Sequence, residues 1–328
     1  MREGLAEVVI VDNASRPTPH VARLRRIPGV TVVRWRENRG FAVAVNEAAG
    51  RARGSYLLLL NPDMTAGPEF LDDVLNRADG LFRDHPEAGI VGYRLRHSDG
   101  SPQLSTGTFP TLSQTLTRLL LPRSIRKYRH PGKGVQPVDW VTGCCLLARR
   151  DCWDDLGGLD PAFFLYYEDV DLCRRARRRG WTVWHDPQAA LVHHLPLHRR
   201  EVPAHLRLVT RHALLTYATK HWSSVECALL AQVILAETLT RISTAWLLGD
   251  RATMGIFQEL AHLTNDHAAG RYPEARARLL EVVRQQERRH DQSADNRGTQ
   301  PQSTRSLTHV PGEPHAVQSA AHSVVGRR

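Results

Sequence analysis

The chain has 328 residues, 41% of them hydrophobic, enough for one large domain or one and a half average ones. A formal charge of +10 favours phosphates, nucleotides or anionic lipid surfaces. With aromatics at 6% and no basic stretch interleaved with them, nucleic acid is not expected as a partner. The cysteines, Cys144, Cys145, Cys152, Cys173 and Cys227, are odd in number and form no C-x-x-C pair. That argues against a disulfide framework or zinc knuckle and fits a reducing compartment. The first residues hold no apolar run of signal-peptide length, and no window reaches ~18 uncharged apolar residues. The nearest, Val225 to Leu248, is interrupted by Glu226, Glu237 and Arg241. The expected location is cytoplasmic, with peripheral contact at the inner face of the membrane.

In chain order, residues 5–11 ("LAEVVIV") are a strand ending at Asp12-Asn13, 18–27 a helix, and "VTVVRW" (30–35) a strand. Residues 40–54 place Phe41, Val45, Ala48 and Ala49 on one helical face. "SYLLLL" is the next strand, followed by a helix from about Pro68 to Asp84 and the strand "AGIVGY" (88–93). This alternation predicts an α/β fold with a mainly parallel, Rossmann-type sheet flanked by helices. Beyond it come a short amphipathic helix in 107–122, a basic loop (122–137), and one apolar strand over 138–150. A helix over 168–180 and two short strands, "WTVWHD" and "AALVHH", follow. Residues 1–200 then read as one domain, 201–288 as a helical C-terminal region, and 289–328, polar and without periodicity, as a disordered tail.

Four clusters fall at strand ends or helix starts, where open α/β sheets bind ligands. Asp12 ends the first strand; such a carboxylate either accepts from a nucleobase or ribose, or closes an Asx turn. Asn38, Arg39 and Gly40 lead into a helix whose first N–H groups face an anion or simply begin the helix. Asn61-Pro62-Asp63 stops an apolar strand, as a plain turn or as a carboxylate suited to a diphosphate-bound Mg²⁺ or Mn²⁺. "FFLYYEDVDLCRRARRRG" has acids in its first turn and arginines in its last, including an Asp171–Arg175 i,i+4 pair that by itself is worth little. The aromatic residues Phe163, Phe164, Tyr166 and Tyr167 beside Glu168-Asp169 would desolvate a carboxylate and raise its pKa towards that of a base. His193-His194 ends the last strand; histidine there is a packed core group or part of a metal shell.

Taken in order, "VVIVDNAS", "NRGFAVAVNEA", "YLLLLNPD", "VDWVTGCCLLARRDCWDDLGGLDPAFFLYYEDVDLCRRARRRGW" and "LVHH" resemble a family 2 glycosyltransferase of the rhamnosyltransferase-like branch, over residues 5 to about 195. The resemblance implies a GT-A-like fold. It further implies an inverting, metal-dependent transfer of a sugar from a nucleoside-diphosphate sugar to a glycan or lipid-linked acceptor. Carried over residue by residue, it places Asp12, Asn38, Gly40 and Asn61 at the donor and Asp63 at the metal, with His193. Asp169 becomes the general base with Glu168 beside it, and Trp140 and Gly143 line the acceptor pocket. One departure stands out. Family members usually carry a further strand and helix before the segment matching "VVIVDNAS", and that strand lies inside the sheet, whereas Met1 here precedes Asp12 by only eleven residues. The expectation is a start codon placed too late. The alternatives are a truncated, non-catalytic nucleotide- or partner-binding remnant, and a basic membrane-binding module.

Overall fold

The computed structural model describes residues 6–15, 19–120, 132, 134–194, 202–298 and 321–327. Two compact units emerge, Met1–Glu201 with Ala320–Arg328, and Val202–Ser319.

The first unit opens β1 (Glu7–Asn13), α1 (Pro19–Leu24), β2 (Val30–Trp35), α2 (Phe41–Arg51), β3 (Tyr56–Leu60), β4 (Met64–Thr65), α3 (Phe70–Asp84) and β5 (Ala88–Arg96). It continues with β6 (Pro102–Gln103), β7 (Thr106–Gly107), α4 (Leu112–Leu120), β8 (Gln136–Val138), β9 (Trp140–Val141), β10 (Cys145–Arg149), α5 (Arg150–Leu156), α6 (Glu168–Arg178) and β11 (Thr182–His193). The second unit is α7 (Ala204–His221), α8 (Ser224–Leu247), α9 (Arg251–Ala268) and α10 (Tyr272–Gly298). A last strand, β12 (Ala321–Arg327), returns to the sheet of the first unit.

The main sheet runs β2-β1-β12-β3-β10-β5-β11-β4. The α/β architecture is the expected one, and parallel pairing is found for β1–β2 and β5–β11. The mainly parallel sheet expected is instead mixed: the other pairs along this order are antiparallel, β10 with both β3 and β5, β12 with both β1 and β3, and β11 with β4. Its central strands are buried on both faces and so read as continuous apolar runs. Leu57 and Leu59 of β3 join the layer beneath α2, α5 and α6, whereas Leu58 joins the layer of α3, where Val74, Leu75, Ala78 and Phe82 lie one helical turn apart. β10 alternates in the same way, with Leu146 and Ala148 to one layer and Cys145 and Leu147 to the other.

Three segments depart from the sequence expectations. The single strand foreseen over 138–150 is three short strands and the start of α5, interrupted at Thr142–Cys144. The backbone there is engaged by other groups: Gly143 N–H donates to Asp169 at 2.8 Å and Cys144 C=O accepts from Asn61 N–H at 3.0 Å. The two strands foreseen over 181–194 are one, β11, whose register against β5 shifts between Asp186 and Ala190. Pro187, which has no N–H for the ladder, lies in that irregular stretch. The tail foreseen from residue 289 is helical to Gly298 and a sheet strand over 321–327. The basic loop foreseen at 122–137 falls mostly outside the described residues, as do 299–320.

In the helical unit, His212 of α7 and His267 of α9 are both buried, with ring centroids 5.2 Å apart. Burial pushes His212 down to about 3, helped by His267 and Arg276, and pushes His267 down to about 4 against the opposing pull of Asp266. Both rings are therefore neutral at pH 7. The unfolded chain takes up protons at its histidines near 6.5 that the native rings refuse, so stability falls as pH drops below that value. Denaturant titrations between pH 7.5 and 5 should show a loss approaching ~1 kcal/mol per pH unit per histidine at the acid end. The His212→Leu variant should show a shallower slope than the parent chain.

Candidate active site

Several strand ends and one helix start converge on the loop Thr142–Cys144. β3 stops at Leu60 because Pro62 cannot extend the ladder, and Asn61 is fastened by its N–H to Cys144 C=O and by Nδ2 to Cys144 Sγ at 3.4 Å. Asn61 Oδ1 is left buried without a hydrogen-bond partner among the described residues. After the turn, β4 pairs with β11, setting Met64 opposite His193. That pairing brings Asp63 Oδ2 to 3.1 Å from His193 Nε2, both side chains being about nine-tenths buried. The other ring nitrogen, Nδ1, faces the Gln103 amide at 2.8 Å, which fixes the ring plane. The neighbouring His194 turns elsewhere, to Thr65 Oγ1 at 2.7 Å and Ser98 Oγ at 3.1 Å.

On the other side of the loop, α6 begins with the two acids. Asp169 accepts from Gly143 N–H with Oδ2 and from Val170 N–H with Oδ1, both at 2.8 Å. Burial raises its pKa above the ordinary aspartate value, with these donors working in the opposite direction. Glu168 is more deeply enclosed, 5% exposed, and its Oε2 has no hydrogen-bond partner among the described residues. Burial first, then the charges of Asp169 and Asp171, push its pKa well above the glutamate range. Just before the helix, Tyr166 and Tyr167 hold φ of 73° and 66°, a left-handed conformation that costs bulky residues ~1 kcal/mol or more each. Strain of this kind concentrates at functional sites, and here it immediately precedes the acid pair.

The clusters share one electrostatic environment. The Cys144 thiol is pushed up to about 12 by burial, partly offset by its hydrogen bond with Thr142, and the carboxylates of Asp169, Asp63 and Glu168 all add to the rise. Asp63 and the acid pair, 105 residues apart in sequence, thus act on the same sulfur.

The donor-side candidates form a second patch. Asp12 is fully buried at the end of β1; Oδ1 accepts from Ser15 N–H at 2.8 Å and Oδ2 lies 3.3 Å from Arg34 Nε. Of the two readings of this residue, the turn after the strand is the one formed here, closed by the Ser15 N–H. The loop before α2 is organised by Asn13, which sequence reasoning passed over. Its Nδ2 donates to Asn38 Oδ1 and Gly40 C=O, and its Oδ1 accepts from Arg39 N–H. Gly40 has φ of 91°, and a Cβ there would lie 2.6 Å from Phe164 C=O, so glycine is required for both conformation and space. Phe41 N–H donates to that same carbonyl, so the first N–H of α2 is used internally.

Trp140 and Gly143, the acceptor-side candidates, flank Val141 and Thr142. Trp140 pairs with Gly107 of β7 and donates its indole N–H to Thr108 C=O at 2.9 Å. Asp171 proves to be more than the weak surface partner expected from its spacing. It is 1% exposed, and its partner Arg175 also donates to Leu156 C=O and Gly158 C=O, fastening the loop that precedes the aromatic segment. Asn46 holds the same loop through a reciprocal pair with the Leu159 backbone at 2.7 and 2.9 Å. Neither tie has a signal in the sequence, since both depend on loops distant in the chain.

Among the described residues, no three His, Cys, Asp or Glu side chains are arranged to hold a metal ion alone. The residues present nonetheless fit a Mg²⁺ or Mn²⁺ that draws its remaining ligands from a diphosphate and water. Asp63 offers a carboxylate, His193 an imidazole, and the orphaned Asn61 Oδ1 an amide oxygen on the same turn.

The family described as glycosyltransferase-like family 2 matches residues 5–214. The N-acetylglucosaminyl-diphospho-decaprenol L-rhamnosyltransferase of Mycobacterium tuberculosis is 32% identical over 206 residues, covering 57% of this chain and 66% of that protein. The chain thus matches slightly under two thirds of that relative's length. The rhamnosyltransferase WbbL of Escherichia coli is 28% identical over 188 residues, covering 53% of this chain and 66% of that protein. Among solved structures, the mannosyltransferase PcManGT from Pyrobaculum calidifontis, in complex with GDP-Man and Mn²⁺, is 19% identical with a TM-score of 0.42, over 83% of this chain and 76% of that one. On a family match that spans most of its length, the chain belongs to the glycosyltransferase-like family 2.

Proposed function

We propose that the chain is an inverting, metal-dependent glycosyltransferase that moves a sugar from a nucleoside diphosphate to a glycan or lipid-linked acceptor. The observation that carries this reading is the convergence of Asp63–His193 and Glu168–Asp169 on one loop. Rhamnose is favoured as the sugar because two relatives are named as rhamnosyltransferases. Mg²⁺ or Mn²⁺ held at Asp63 and His193 would neutralise charge on the departing diphosphate. Asp12 and the Asn38–Gly40 loop hold the nucleoside side of the donor, with Asn61 at the diphosphate. Trp140 and Gly143 line the acceptor side. Asp169 takes the proton of the attacking hydroxyl, and attack opposite the leaving group inverts the anomeric centre.

The non-catalytic alternative rests on the strand that usually precedes the segment matching "VVIVDNAS"; the Asn61–Asp63, Glu168–Asp169 and His193 elements weigh against it. Titration of UDP and TDP in the presence of Mn²⁺, together with a donor-hydrolysis assay, separates binding alone from turnover.

Asp63→Ala and His193→Ala should each weaken Mn²⁺-dependent nucleoside-diphosphate binding by ~10-fold or more, the scale of losing one charge-assisted ligand, with the far-ultraviolet spectrum unchanged. Undiminished Mn²⁺-dependent affinity would remove the metal from this turn. Asp169→Asn should keep donor binding and lose ~10²-fold or more in kcat. Because Asp169 acts as a base only when ionised and its pKa is raised, kcat/KM should fall as pH drops, with a midpoint above the ordinary aspartate value near 3.8. Glu168→Gln is the control: a larger loss there than at Asp169 transfers the base role to Glu168.

Contact with a membrane surface is the remaining part of the reading. No helix among the described residues is long and apolar enough to cross a bilayer. Yet α8 exposes Val225, Leu229, Leu239, Trp246 and Leu247, at 50–75% of their surface. Its three charged residues lie off this face, Glu226 in the capping box with Ser223 and Glu237 bound to Arg211 and Arg241. An uncharged face ending in tryptophan suits the headgroup boundary. Co-sedimentation with vesicles containing anionic lipid should fall by ~10-fold in affinity for Leu239→Ser with Trp246→Ser, the equivalent of ~1.4 kcal/mol of lost apolar contact. Unchanged sedimentation would place any membrane contact elsewhere.

A further inference from the structure

The arginines of α6 divide into two sets. Arg175 and Arg179 are committed to the fold: Arg175 is tied to Asp171 and to the Leu156 and Gly158 carbonyls, and Arg179 donates to Asp155 at 2.8 Å. Arg174, Arg177 and Arg178 lie on another side of the helix and, with Phe109 and Thr111, line a solvent-open cleft of about 440 Å³. That volume falls within the range of small-ligand sites.

Three guanidinium groups meet at this cleft against the single carboxylate of Asp139. Arg177 is paired with Asp139, whose other oxygen accepts from Phe109 N–H at 3.0 Å. Arg178 is exposed and forms no hydrogen bond or ion pair among the described residues. The helix dipole accounts for cations in the last turn, but not for where these are held. The guanidinium carbons of Arg174 and Arg177 lie 5.4 and 5.8 Å from the Phe109 ring centroid. Stacking of this kind holds a guanidinium by its face rather than through its in-plane N–H groups. Like charges gathered around one ring repel, and an anion set among them turns that repulsion into attraction. The guanidinium fork matches phosphate oxygens, and three cations suit the multiple charge of a diphosphate better than a lone carboxylate.

The scaffold of the cleft is shared with the candidate active site. Asp139 directly precedes Trp140, whose indole N–H donates to the carbonyl of Thr108, the neighbour of Phe109. α6 carries Glu168 and Asp169 in its first turn and Arg177 two turns later, ~12 Å along the axis.

We propose that this cleft is a phosphate-binding subsite for the acceptor, holding the diphosphate that joins a glycan to its lipid carrier. The assignment rests on the glycosyltransferase reading above, with the attacking hydroxyl at Asp169 and the linking anion two turns along α6. It is separate from the donor's diphosphate, which that reading puts at the turn of Asn61 and Asp63.

The first test needs no sugar transfer. Calorimetric titration of the full chain with inorganic pyrophosphate in EDTA should show binding. Arg174→Gln with Arg178→Gln should weaken it by ~10-fold or more, the scale of losing charge-assisted hydrogen bonds. Arg177 is left in place because it also holds Asp139, and glutamine preserves helix propensity. The lysine pair, Arg174→Lys with Arg178→Lys, keeps the charge without the fork and should recover only part of the affinity. UDP binding in the presence of Mn²⁺ should be equal in all three proteins. If the glutamine pair does not fold, Arg178→Gln alone takes its place. An absence of metal-free pyrophosphate binding, or binding that the glutamine variant leaves intact, overturns the site.

The second test identifies the source of the phosphate. Transfer to monosaccharides joined through a diphosphate to farnesol is compared with transfer to the same sugars as neutral octyl glycosides. The glutamine pair should reduce the ratio of the two kcat/KM values by ~10-fold, through KM for the diphosphate acceptor. An unchanged ratio overturns the acceptor assignment; if affinity for vesicles of anionic phospholipid falls instead, the phosphate belongs to a lipid headgroup. Should no acceptor be glycosylated while pyrophosphate binding still depends on the arginines, the catalytic reading fails and takes the acceptor assignment with it, and the phosphate site stands.

Discussion

The first unit depends on the complete enclosure of β3. Three consecutive leucines facing opposite layers leave no solvent-facing side, so the strand requires helices above and below and a partner on each edge. Once β10 and β12 supply those partners, the chain can leave the sheet only at its end, and Pro62 makes it leave abruptly. The carboxylate that follows is then delivered to a fixed place, against His193 of β11. Apolar burial of ~1.5–3 kcal/mol per leucine thus secures the position of a charged group that contributes nothing to the core itself.

The loop Thr142–Cys144 converts this rigidity into a site. It is too short to have a core of its own, and it is held from both sides, by Asn61 through the backbone of Cys144 and by Asp169 through the N–H of Gly143. Asp169 therefore combines positioning with the capacity to take a proton. Both of its oxygens already accept a backbone N–H, which steadies the anion, while burial pulls the other way. Glu168, with an unpartnered oxygen and a like charge beside it, resists ionisation more strongly. The adjacent carboxylates thus differ in how readily they ionise, and the more readily ionised, Asp169, is the one bound to the loop.

Much of this was legible in the sequence wherever the signal is local. Apolar period and turn residues located β1, β2, α2, β3, α3 and β5, and the acid-led, arginine-ended pattern located α6. The meeting of Asp63 with His193 was anticipated only through the family resemblance, which placed both at the metal; no local pattern joins them. What escaped were features created by distant partners. The break at 142–144 lies in a run apolar enough for an unbroken strand, and its backbone is engaged by Asp169, Asn61 and Ser105. Asn13, Asn46 and Arg175 act through loop backbones far along the chain, and Arg150 likewise caps α2 through the carbonyls of Ala49, Ala52 and Gly54. β12 was illegible for a related reason. It is surrounded by polar residues and poor in β-formers, and its partners β1 and β3 lie about 260 residues or more away in the chain.

That strand has a consequence for how the molecule is made. Its pairing joins residues 7–12 to 321–326, a separation of roughly 300 residues, against the short-range contacts that dominate the four helices of the second unit. Loop closure over such a distance is slow, and sheet topologies with high contact order fold late. On the ribosome, β1 and β3 emerge long before β12, so pairing across all three strands waits for synthesis of the helical unit.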